Sequence, residues 1–347
     1  MRGRKAEFER KLAQTGLWQL LDLLQTLPDE TARLARLCYA ASPASDWLDT
    51  PPEVFFSCAA HARYLRENVS WTRALPEPLF LAYVLHPRVN NEALCDCRPV
   101  FYAALAERLR GLPEEAAILE INRWCAEHVA YQPTDERTRS ALAVLRAGFG
   151  RCGEESMFAV NVLRACGFAA RQVYVPRWAH CDDNHAWVEV RCGGAWHFLG
   201  ACEPEAVLDR GWFNSAAGRA VLVHSRCFGE PEPGADLIGR EGDVVYCNET
   251  ARYADVRRLT VRVTDENGMS AAGADVDFCI LNNCEWYPAA TVQTDAFGMA
   301  ALTCGLGSLR LLARRNGLCC EAFVSPEETG PVVLTLGKRA PASDRWE

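Results

Sequence analysis

The pair Gly193-Gly194 constrains this chain most, because the sequence alternates with period two on both sides of it. Trp187-Val188-Glu189-Val190 precedes the pair and Trp196 to Cys202 follows it. Such alternation marks half-buried strands, and two glycines between them suit a tight hairpin turn. A two-residue loop puts Val188 opposite Leu199 and His185 opposite Cys202, with Trp187, Phe198 and Gly200 on the face of His185. Ala170 to Val175 reads as a further strand, rich in β-branched residues. Ahead of it, Glu154 to Ala165 places Phe158, Val162 and Leu163 at helical spacing, and Gly167 stands where a C-cap would stop the helix.

Two chemical groups sit at the ends of these elements. Cys152 lies at the mouth of the helix, and His185 opens the strand. A thiol at a helix N-terminus and an imidazole at a strand start are the two parts of a Cys-His nucleophilic site. Glu154 and Glu155 occupy the first turn, where the helix dipole favours negative charge. The Cys152 thiolate faces the same positive end, beside Arg151, and such neighbours lower a thiol pKa from about 8.5 towards neutrality. Gly150 and Gly153 let the backbone turn tightly on each side of the sulfur.

Other residues read more plainly. With 17 cysteines in the chain, one near a helix start is often only a small buried hydrophobe. His180 reads as a solvated loop residue, with a metal-ligand or substrate-loop role as the alternative. Cys95-Asp96-Cys97 lacks the second ligand pair that zinc needs. Cys319-Cys320 point to opposite faces of a strand, which reads as packing. Trp124, Tyr131 and Trp212 read as core or cleft walls.

Four segments in order carry a family resemblance: Arg151-Cys152-Gly153-Glu154; Leu163 to Arg171; His185-x-Trp187-x-Glu189-Val190; and Trp196 to Glu203. Across roughly Ile121 to Phe228 the chain resembles the transglutaminase-like superfamily of papain-type thiol enzymes. Within it, the likeness is to peptide:N-glycanases and bacterial transglutaminase-domain proteins. The resemblance implies an α+β, papain-like core in which Cys152 is the nucleophile and His185 the general base. It also implies an aspartate four residues after the strand tryptophan, to orient the imidazole. That position is Gly200 here. Glu203 is the nearest carboxylate and stands as the third catalytic candidate. A Cys-His dyad oriented by a backbone carbonyl or water is the alternative, and Asp183 and Asp209 are further substitutes. Period two puts Glu203 on the face opposite His185 unless a longer turn or a bulge intervenes.

The chemistry so implied is attack of the Cys152 thiolate on a carboxamide or peptide carbonyl, through a thioester, giving hydrolysis or acyl transfer. The backbone N–H of Cys152 is a natural oxyanion donor. No metal or organic cofactor is required, and the substrate is a protein, peptide or glycopeptide. Two alternatives remain open: a glycan-asparagine amidase, and a non-catalytic binding protein that keeps the fold.

At 347 residues the chain exceeds one typical core. Its 49% hydrophobic and 24% charged residues are ordinary for a soluble globular protein. A net charge of −8, with no basic stripe, argues against nucleic acid. The longest apolar run, Leu79 to Leu85, is far short of the ~20 residues of a membrane span. Met1 to Gln25 is charged and amphipathic rather than a signal peptide. The scattered, odd number of cysteines fits a reducing cytoplasm. A start codon further upstream would make an extracytoplasmic location the expectation instead.

The expected organisation has five parts. Residues 1–115 form a helical lobe, with leucines at helical spacing from Glu7 to Leu27 and prolines punctuating shorter helices. Residues 116–232 form the catalytic core, 233–254 a linker after Gly229-Glu230-Pro231-Glu232-Pro233-Gly234, and 339–347 a tail. Residues 255–338 carry short alternating stretches separated by turns such as Asp265-Glu266-Asn267-Gly268, which indicates an all-β sandwich. These turns resemble carboxypeptidase-regulatory-like, Ig-type modules, which commonly act as spacers or attachment domains. The expectation is that this part folds alone. The alternative is that it packs on the core and completes the cleft.

Overall fold

The computed structural model describes residues 2–135, 137–328 and 330–339, so most of the expected tail lies outside the described residues. Helices dominate as far as His128. Gly16, at φ 70°, ends the first helix (Arg2–Thr15), and a second runs over Gln19–Gln25, so the leucine-rich start is two helices. Pro28, Pro43 and Pro51 each stand just before a helix, where a missing N–H removes no intrahelical bond. The lobe packs around Leu24, Ala35, Phe55 and Leu65, with Tyr39 stacked on Phe55 at 4.2 Å. That cluster continues into Trp196, Cys227 and Val245 of the neighbouring sheet. Lobe and sheet therefore share one core.

The central helix, Cys152–Ala165, is buried along nearly its whole length. It packs against a six-stranded antiparallel sheet. The strand order is Ala195–Leu199, His185–Cys192, Ala170–Val175, His224–Phe228, Val244–Asn248, Leu237–Glu241. Gly193 (φ 56°) and Gly194 (φ 83°) make the two-residue turn, and Val188 pairs with Leu199 as the alternation requires. The strand stops at Leu199, so His185 pairs with Val175 on its other side and not with Cys202.

The segment expected as a linker is part of this sheet. Leu237–Glu241 and Val244–Asn248 form its outer hairpin, with Val245 and Cys247 turned into the lobe core. Val244 to Cys247 is a short unbroken apolar run, so hydrophobic alternation does not mark this strand in the sequence.

The C-terminal strands form two sheets. Glu285–Gln293, Asp275–Asn282, Leu309–Arg315, Leu318–Val324 and Lys338–Arg339 form one; Met299–Gly305, Val256–Thr264 and Val332–Thr335 form the other. Val261, Val276, Phe278 and Leu311 fill the space between them. Val221 and Leu222 of the preceding region insert into the same cluster. The Gly305 N–H donates to the Val221 carbonyl at 2.9 Å. A Cβ on Gly305 would lie 2.0 Å from the Ala220 carbonyl oxygen, so only glycine permits this approach. The all-β part thus packs directly on the rest of the chain. Among the described residues, no helix is long and apolar enough to cross a membrane.

Candidate active site

Arg151 takes an extended conformation (φ −77°, ψ 167°) and Cys152 is the first residue of the central helix. The strand beneath anchors that turn, because the Gln172 amide donates to the Gly153 carbonyl at 2.9 Å and to Ser156 Oγ at 2.7 Å. His185 begins the adjacent strand. Its ring lies 4.8 Å from the Trp212 ring, 5.0 Å from Phe213 and 5.8 Å from Trp187. Cys152, His185, Glu155, Glu203, Tyr131 and Trp212 line one cleft of about 720 Å³.

The electrostatics differ from the expectation for the thiol. Burial pushes the Cys152 thiol above its ordinary value, against the backbone N–H of Ala186, the Arg151 charge and the backbone N–H of Gly153. Desolvation outweighs the helix terminus at this position. Burial also takes the His185 imidazole down to about 4, with Asp183 opposing it. Near neutral pH the pair is therefore an uncharged thiol and an uncharged imidazole. The imidazole can accept a proton, and its Nε2 is buried without a partner.

Glu203 reaches the cleft because the chain leaves the sheet after Leu199. Cys202 turns with φ 59°, and the Glu203 N–H donates to the Gly200 carbonyl at 3.3 Å. Asn122 clamps the turn, donating to the carbonyls of Gly200 and Glu203 and accepting from the Cys202 N–H. A Cβ on Gly200 would lie 2.2 Å from Glu203 Oε2. The Glu203 carboxylate thus fills the side-chain space at position 200, where the family resemblance expects an aspartate.

Direct bonding between Glu203 and His185 is absent: among the described residues, neither a hydrogen bond nor an ion pair joins them. Glu203 Oε1 instead accepts from Trp212 Nε1 at 2.9 Å, and Oε2 is buried without a partner. Trp212 thereby bridges the two, with its nitrogen on the carboxylate and its ring against the imidazole. Of the substitutes, Asp183 lines the cleft but accepts from the Asn184 N–H at 2.7 Å. Asp209 pairs with His197 at 2.6 Å instead. Tyr131 and Trp212 are cleft walls, whereas Trp124 is core. His180 is exposed and borders a different hollow.

Three features carried no readable signal. Glu155 lines the cleft three residues after Cys152, on the same helix face. Asn282, at the tip of a C-terminal hairpin, donates to the carbonyls of Trp178 (2.9 Å), Cys181 (2.8 Å) and Asp183 (3.3 Å). The Asn283 N–H adds a bond to Asp182 at 2.7 Å, so the all-β part holds the loop that leads into His185. Cys95 is the third: hydrogen bonding to Cys97 and to the backbone around Ala141 and Leu142 draws its thiol down to about 6, against burial. Among the described residues, no cluster of three or more side chains could hold a metal ion.

Residues 103–201 match the model of the Transglutaminase-like superfamily. This stretch is a transglutaminase-like domain. It contains both Cys152 and His185 and ends two residues before Glu203. Three solved structures overlap the chain in part. A candidate cysteine protease from Cytophaga hutchinsonii is 16% identical, with 53% of this chain and 68% of that chain covered at a TM-score of 0.33. Red sea bream transglutaminase is 11% identical, covering 71% of this chain and 58% of its own at 0.28. A streptococcal ancillary pilin is 8% identical, covering 48% and 60% at 0.20. No curated protein matches the sequence significantly.

Proposed function

We propose that this protein is a cysteine-dependent amide hydrolase or acyltransferase acting on a protein, peptide or glycopeptide. One observation carries the proposal: the Cys152 thiol and an uncharged His185, its Nε2 unpartnered, line the same cleft in a transglutaminase-like domain. His185 takes the thiol proton as the sulfur–carbon bond forms. It returns that proton to the leaving nitrogen as the carbon–nitrogen bond breaks, leaving a thioester. Water, or an acceptor amine, then attacks the thioester, gives its proton to His185, and frees the thiol. The Cys152 backbone N–H is suited to stabilise the oxyanion. Glu203 takes the third place as a positioning residue, acting on His185 through Trp212.

A second reading has its own support. No carboxylate hydrogen-bonds or ion-pairs with His185 Nε2 among the described residues, and the thiol pKa is raised, as a non-catalytic binding protein of the same fold would tolerate. A panel of thiol-reactive amide electrophiles separates the two. Rapid, saturable modification of Cys152, lost in Cys152→Ala and depressed by orders of magnitude in His185→Ala, is the expected result. Modification no faster than that of an exposed control cysteine would leave the binding-protein reading standing.

A further inference from the structure

Glu154 and Glu155 are neighbours in one helical turn, both buried, yet their surroundings are opposite. Glu154 is fully enclosed and satisfied: the Arg139 side chain and backbone donate to it at 2.9–3.0 Å. Glu155 is 4% exposed and lines the cleft, and among the described residues its carboxyl has neither hydrogen bond nor ion pair. Burying a carboxyl without a partner is expensive, and glutamine or leucine would serve a purely structural position better. Two further polar atoms in the same cleft are also buried without partners, Glu203 Oε2 and His185 Nε2. Three unmet groups face one space beside the Cys152 sulfur.

We infer that this cleft receives an alkylammonium group carried by the amide substrate, seated between Glu155 and Glu203 while Cys152 meets the carbonyl. The inference rests on Cys152 being the nucleophile. An ammonium supplies three donors and a positive charge, which is what the Glu155 carboxyl and the free Oε2 of Glu203 lack. An ammonium held between carboxylates keeps its proton and is no nucleophile, so this group identifies the substrate and does not attack the thioester. Residues at i and i+3 of a helix lie about 5–6 Å apart at Cβ. The cationic group therefore sits within a short side chain's reach of the reacting carbonyl.

The titratable groups around the space agree with a cation. Tyr131, Cys152, Cys202 and Glu203 influence Glu155 or are influenced by it, Asp183 acts on Tyr131 and His185, and Glu205 adds negative charge behind Glu203. The neighbouring cation, Arg151, is engaged with Thr138 Oγ1 and the Arg137 carbonyl. Burial first, and Glu203 second, raise Glu155 to about 8. At neutral pH Glu155 thus holds a proton that a bound ammonium would expel.

The test uses 2-chloroacetamides whose N-alkyl chain ends in a primary ammonium, a hydroxyl or a carboxylate, at matched lengths of two to four carbons. Mass spectrometry follows labelling of Cys152 in the full-length protein. The ammonium reagent should label at least tenfold faster than the hydroxyl reagent, with the carboxylate slowest. Glu155→Gln, checked by circular dichroism, should bring the ammonium-to-hydroxyl ratio close to one. A wild-type ratio near one, or a ratio unchanged in folded Glu155→Gln, overturns the inference. Should that variant not fold, the wild-type ratio decides, and it must rise between pH 7 and 9 as Glu155 ionises; a flat ratio overturns the inference. Failure of all three reagents on Cys152, while an exposed cysteine reacts, overturns the nucleophile assignment itself and this inference with it.

Discussion

Two buried acidic clusters touch the central sheet, and they are built in opposite ways. Around Glu189 every charge has a partner. Arg171 donates to it at 2.7 Å, Arg252 at 2.7 Å and the Tyr253 hydroxyl at 2.6 Å. Arg171 reaches on to Glu249, which also accepts from Ser225. Burial alone would raise Glu189, but the Arg171 and Arg252 charges hold it below the usual carboxylate value. Around Glu155 the same burial meets no cation, and the carboxyl rises to about 8. Complete pairing is what a structural charge needs in a low dielectric. An unmet carboxyl in an open cleft is a site for a ligand.

Breaking the satisfied cluster should have the largest effect. Arg171→Ala strands Glu189 and Glu249 without their shared cation, and removing one partner of a buried pair destabilises by about 3–5 kcal/mol. Chemical denaturation measures this; a loss below about 1 kcal/mol would show that the cluster does not organise the fold.

Glu155→Gln should behave in the opposite sense. The folded pKa of Glu155 lies above its unfolded value, so its stabilising contribution is complete below about pH 4.5 and is lost as pH rises through about 8. Relative to wild type, the glutamine variant should therefore gain stability as pH rises from 5 to 9, on the order of 2 kcal/mol. Parallel stability curves across that range would mean Glu155 has an unseen partner, and the comparison would collapse.

Asn282→Ala tests a satisfied contact that reaches the site from outside it. Loss of three hydrogen bonds to the Trp178–Asp183 loop should cost about 1–3 kcal/mol. It should also slow Cys152 modification several-fold in a protein that remains folded. Unchanged Cys152 reactivity would restore the view of the all-β part as a spacer.

The smallest effect concerns the thiols, where the same contrast recurs. Cys95 has donors for its thiolate and is drawn to about 6, whereas Cys152 is raised by burial. Cys95, partly exposed, should therefore react with iodoacetamide faster than Cys152 at pH 6.5, by a few-fold in peptide mapping. The reverse order would mean that Cys152 draws more from its helix terminus than its burial removes.

Much of the fold near the site was legible because it is local. Cys152 at the helix start, Gly167 (φ 90°) after the helix and the Gly193-Gly194 hairpin follow from spacing and from which residues accept positive φ. The outer hairpin at 237–248 was not legible, since Val244 to Cys247 is an apolar run without alternation and Leu237 to Glu241 carries few apolar residues. Glu203 is the nearest carboxylate in sequence, but its route to the cleft depends on the strand ending at Leu199.

From its sequence alone, this protein has a helix-and-hairpin core with a thiol and an imidazole at adjoining ends, because periodicity and turn chemistry act over a few residues. Tertiary structure alone decided the rest. It put Glu203 into the space left by Gly200, set Trp212 between that carboxylate and His185, left Glu155 without a partner, and brought Asn282 from about a hundred residues away (to Cys181 and Asp183) onto the loop before His185. Burial and long-range contacts govern these features, and desolvation is a property of the packed protein that no stretch of sequence carries by itself.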